Sequence, residues 1–63
     1  MTTAIQQETF RILVRRIKAA TTLDDVKDYR PRVDRHYHAG TITAYQLGRL
    51  DVLIMERIAL LES

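Results

Sequence analysis

The sequence predicts an all-α fold, an up-down-up unit of three helices, and three observations carry that expectation. Apolar residues recur at three-and-four spacing along most of the chain. Each periodic stretch is opened by a threonine that can accept a hydrogen bond from an unpaired backbone N–H of the first helical turn. Strict apolar/polar alternation, the mark of a half-buried strand, is nowhere sustained, and only two glycines and one proline punctuate the 63 residues.

The first helix is expected at about residues 3–20. Thr3 and Gln6 have capping-box spacing, and Phe10, Leu13, Ile17 and Ala20 share one face. Ile5, Ile12 and Val14 widen that face, while Arg11, Arg15 and Lys18 lie on the side opposite part of it. The second helix is expected at 22–38, opened by Thr22 with Asp25 as its reciprocal cap and Asp24 near the positive end of the helix dipole. Leu23, Val26, Val33 and Tyr37 continue its apolar face, flanked by Tyr29. Pro31 lacks an N–H and crowds the Lys27 carbonyl, so a kink or break is expected near Tyr29–Pro31. Gly40 supplies the left-handed residue that commonly ends a helix.

The third helix, at 43–62, has the clearest start: Thr43 as N-cap, Gln46 as its box partner, and Ile42 with Leu47 as a hydrophobic staple. Leu47, Leu50, Ile54, Ile58 and Leu61 form one stripe. Val52, Leu53, Met55, Ala59 and Leu60 lie off it, so the helix is apolar on most sides. One partner face cannot cover all of that. Self-association through Val52, Leu53, Met55 and Leu60, most simply as a homodimer, is therefore expected. Connections of a few residues at 20–22 and 39–42 make neighbouring helices antiparallel, and residues 1–63 read as a single helical domain.

Size points the same way. A chain this short buries only about 60% of the surface exposed by its unfolded form, and it has no cysteine for disulfides. The stretch from Met1 to Gln6 has neither the charged nor the apolar region of a signal peptide, and the longest apolar run is broken by Arg49, Asp51, Glu56 and Arg57. A cytoplasmic chain with no membrane partner is the expectation.

Catalysis finds little to work with. The only serine is Ser63, no cysteine exists, and Gly40 and Gly48 are isolated rather than part of a phosphate loop, so an enzyme is not expected. His36 and His38 point to different helix faces, and Asp34 with His38 offers two ligands at best, so neither a metal nor a cofactor is expected. Charge is more informative. Ten basic residues meet eight acidic ones for a net charge of +2, and the positive ones cluster in the first two helices. A basic face built from Arg11, Arg15, Lys18, Arg30 and Arg35, with Tyr45 as an amphipathic anchor, is the candidate partner-binding surface. Its expected partner is an acidic protein surface; the alternative is nucleic-acid phosphate. The segment from Gly40 to Leu50 resembles the opening of a helix-turn-helix, but no polar recognition helix follows it.

Thr22-Leu23-Asp24-Asp25-Val26, the run from Val33 to Thr43, and Leu47 with Leu50 together resemble the small helical accessory proteins encoded by phages and prophages. The basic first helix and the Thr22-Leu23-Asp24 start of the second are also similar to the Hha-type modulators of nucleoid proteins. The first resemblance implies a non-enzymatic adaptor or inhibitor that binds a host or phage protein. The second implies a DNA-binding or nucleoid-associated regulator.

Overall fold

The computed structural model describes residues 2–63, with helices α1 (Ala4–Ala19), α2 (Leu23–Lys27), α3 (Tyr29–His38) and α4 (Ala44–Glu62). Among the described residues there is no strand. Three helical segments pack together: α1, the α2–α3 pair, and α4.

Local chemistry fixes the helix ends. Thr3 and Gln6 form a complete capping box, Thr3 N–H donating to Gln6 Oε1 at 2.9 Å and Gln6 N–H to Thr3 Oγ1 at 3.1 Å. Thr43 and Gln46 repeat the arrangement at 2.9 and 3.1 Å, and here Gln46 is buried while Ile42 joins the core beside Leu47. Thr22 makes only half of the expected box: its Oγ1 accepts from Asp25 N–H at 3.2 Å, and the Asp25 carboxylate does not reach back.

The single helix expected over 22–38 is instead two. The α-helical run stops at Lys27 and resumes at Tyr29, with Asp28 between them. Pro31 then falls in the first turn of α3, where backbone N–H groups have no intrahelical acceptor and proline loses nothing by lacking one. α3 ends as expected on Gly40, whose φ of +78° is the left-handed conformation that glycine adopts without a Cβ clash. Gly40 N–H donates to the Tyr37 carbonyl and Thr41 N–H to the His36 carbonyl, both at 3.0 Å, the two bonds of a Schellman ending. Tyr37, expected on the apolar face, is 38% exposed, because the core side of α3 is occupied by Val33 and Tyr29.

α4 is the hub on which α1, α2 and α3 all pack. Leu13 and Ile17 of α1, Val26 of α2, Val33 of α3, Ile42, and Leu50 and Ile54 of α4 form the buried core. Two long-range bonds set how α1 lies on α4. At its start, Gln6 Nε2 donates to the Gly40 carbonyl at 3.2 Å, just ahead of α4; at its end, Arg57 Nη2 donates to the Ala20 carbonyl at 2.9 Å. The two helices therefore run parallel, with α2 and α3 returning between them. The Cα trace measures 37 × 17 × 15 Å. A cross-section that narrow leaves α4 with neighbours on one side only.

Candidate binding surfaces

Two concave surfaces flank α1. The first lies between α1 and α3 and is an open concavity of about 430 Å³. Arg16 lines it from α1, and Tyr29, Arg32, Arg35 and His36 line it from α3, with Leu13 and Ala39 supplying apolar floor. No acidic side chain lines it. Three arginines line it because Arg32, Arg35 and Ala39 recur at three-and-four spacing along α3, flanked by Tyr29 and His36, while Arg16 sits next to the buried Ile17 at the edge of the α1 core face.

Two of these side chains are held in place. The Arg32 guanidinium carbon lies 5.4 Å from the centroid of the Tyr29 ring, within cation–π range. His36 Nδ1 lies 2.9 Å from Thr41 Oγ1, and that hydroxyl donates to the His36 carbonyl at 3.0 Å. With the hydroxyl proton so committed, the ring contact is satisfied by Nδ1–H donating to Thr41, which fixes the imidazole at the α3 terminus. Among the described residues the one ion pair within 4.0 Å is Arg11 with Glu8, at 3.7 Å on the open surface. The arginines of the cleft are exposed and form no ion pair with the described residues. Toward α2 the surface changes sign, where Arg16, Tyr29 and Arg32 share a second hollow with Asp25 and Asp28.

The second surface is a groove between α1 and α4, lined by Phe10, Val14 and Lys18 from one helix and Arg49, Val52, Leu53 and Glu56 from the other. It is mainly apolar, with one acid and two bases on its rim. It runs onto the outer side of α4, where Tyr45 is 74%, Val52 53% and Met55 59% exposed.

The structure does not gather the sequence-derived basic face into one patch. Arg35 lines the cleft; Lys18 lines the apolar groove instead; Arg11 is engaged with Glu8; Arg15 and Arg30 are exposed and line neither concavity. Tyr45 stands on the first turn of α4, close to Arg49 and away from the arginine cleft. Of the apolar set, Val52, Met55 and Leu60 are exposed, whereas Leu53 is half-buried against the core beneath α1. Sequence reasoning left out Arg16, Arg32 and His36. The spacing of Arg32 and His36 relative to Tyr29 was available to find them, but the meeting of α1 with α3 was not.

Arg57 was also missed. Read along the sequence it interrupts an apolar run, yet its guanidinium closes the C-terminal end of α1, where a positive charge complements the helix dipole. Among the described residues no three His, Cys, Asp or Glu side chains group as metal ligands, and no helix is long and apolar enough to cross a membrane. No family model, curated protein or solved structure matches this chain.

Proposed function

We propose that this chain is a non-enzymatic binding module that receives an acidic segment of another protein in the α1–α3 cleft, and that pairs with a second copy through α4. The observation that carries the reading is the convergence of Arg16, Arg32 and Arg35 in one concavity with no acidic lining and no ion pair within the subunit. Planar guanidinium groups suit paired recognition of carboxylates, and Tyr29 adds an amphipathic wall. Arg32 and Arg35 are carried to this surface by α3, which meets α1 across the cleft. The setting proposed with it is that implied by the resemblance of residues 22–26 and 33–43 to phage accessory proteins: a cytoplasmic adaptor or inhibitor that blocks or redirects a host or phage protein without chemistry of its own.

The test is a pair of titrations on the intact chain, one with a fluorescent glutamate-rich peptide and one with a short DNA duplex. The peptide is expected to bind, to lose affinity when Arg16→Glu and Arg35→Glu are combined, and to be indifferent to Arg15→Glu. Duplex binding that exceeds peptide binding and collapses by orders of magnitude between about 50 and 200 mM salt would replace this reading with the nucleic-acid one.

A further inference from the structure

The outer side of α4 carries a second stripe that the core does not use. Tyr45, Gly48, Val52, Met55, Ala59 and Glu62 follow one another at spacings of three, four, three, four and three, the heptad period of a helix that packs against another helix. The inward side chains Leu50 and Ile54 are fully buried, while Val52 and Met55 are more than half exposed. Open space over the stripe is confirmed at Gly48, where a Cβ would meet nothing within 4 Å.

Charge along the rim says which partner fits, and in which direction. Arg49 and Glu56 border the stripe on one edge, one heptad apart, and neither forms an ion pair within the subunit among the described residues. Asp51 borders the other edge. If two copies lay parallel, Asp51 of one would stand beside Glu56 of the other, and Arg49 beside Ala44. Like charges would meet and the arginine would gain nothing. If they lie antiparallel, Arg49 of each copy reaches Glu56 of the other, twice over about a two-fold axis. The same arrangement sets Val52 opposite Met55, Gly48 opposite Ala59, and Tyr45 opposite Glu62. Each small residue then faces another small residue, which lets the two helix backbones approach closely, and the Tyr45 hydroxyl gains a carboxylate acceptor.

We infer that the occupant of this face is a second copy of the same chain, packed antiparallel through Tyr45, Val52 and Met55 with reciprocal Arg49–Glu56 pairs. This rests on the self-association half of the proposed function and makes it specific: Leu53 and Leu60, which lie outside the stripe, are not part of the seam.

Sedimentation equilibrium on the full chain tests it. The wild-type chain is expected to be a dimer. Arg49→Glu and Glu56→Arg each place two like-charge pairs in the homodimer and are expected to weaken it about tenfold or more. Mixing the two variants restores opposite charges at both contacts, so the mixture is expected to return to near wild-type association as a heterodimer. Val52→Asp is expected to leave a monomer with unchanged helical circular dichroism, which separates loss of the seam from loss of the fold. A wild-type chain that stays monomeric at tens of micromolar overturns self-association altogether. A wild-type dimer in which the charge variants associate no better mixed than apart overturns the antiparallel seam and leaves self-association standing.

Discussion

Ile54 and Met55 are adjacent on α4, equally apolar, and differ in everything the fold does with them. Ile54 is fully buried in the core, whereas Met55, a little over a quarter turn further round the same helix, is 59% exposed. One helix thus carries two independent apolar surfaces. The inner one forms the core of the subunit, and the outer one stays more than half exposed at Val52 and Met55. Apolar content alone cannot separate the two; the neighbours that cover each side do.

The contrast can be broken first at its strongest point. Ile54→Ala removes a fully buried side chain and is expected to cost about 2–5 kcal/mol, a large part of the roughly 3–9 kcal/mol a domain of this size has in total. Met55→Ala is expected to change monomer stability by less than about 0.5 kcal/mol. Urea unfolding of the two variants under monomeric conditions measures the difference; equal losses would mean that Met55 belongs to the core.

Arg57→Ala comes next. It removes the donor to the Ala20 carbonyl and a partly buried side chain, with an expected loss of about 1–3 kcal/mol by the same unfolding measurement. Arg49→Ala, on the outer side of α4, is expected to fall within about 0.5 kcal/mol of wild type. A similar cost for both would show that the Arg57 bond adds no stability.

Smaller effects sharpen the comparison at the turns. Gly40→Ala forces a Cβ into a φ of +78° and is expected to cost about 1–2 kcal/mol, even though the added atom meets no neighbour. Gly48→Ala, in the helical interior on the outer face, is expected to stabilise the monomer by up to about 1 kcal/mol. Thermal melts of the two variants should therefore move in opposite directions. Among the caps, Thr43→Ala is expected to cost about 1 kcal/mol and Thr22→Ala less, because Thr43 belongs to a reciprocal, part-buried box and Thr22 makes a single exposed bond.

The parts of the fold legible in the sequence were those decided within a few residues. The Thr3–Gln6 and Thr43–Gln46 boxes and the left-handed Gly40 depend on local spacing and were readable as such. For the second segment the expectation is a kink or break near Tyr29–Pro31; the helical run is instead divided at Asp28, which itself keeps right-handed helical backbone angles. The arginine cleft was not legible. Helical phase alone groups Arg11, Arg15 and Lys18 opposite the core, but a concave site forms where two helices meet. Arg16, at the edge of the core face, is the α1 residue that meets α3. Tyr37 was misplaced for a related reason: the period puts it near Val33, yet α3 ends one residue later and no helix covers that flank.

The two-surface description of α4 is tested most directly by a dilution series followed through methyl resonances of the intact chain. Between dimer and monomer, the signals of Val52, Met55 and Ala59 are expected to shift together, with those of Ile17, Leu50 and Ile54 unmoved. Shifts in the core methyls, or constant Val52 and Met55 signals across a concentration range in which the chain is known to associate, would contradict it.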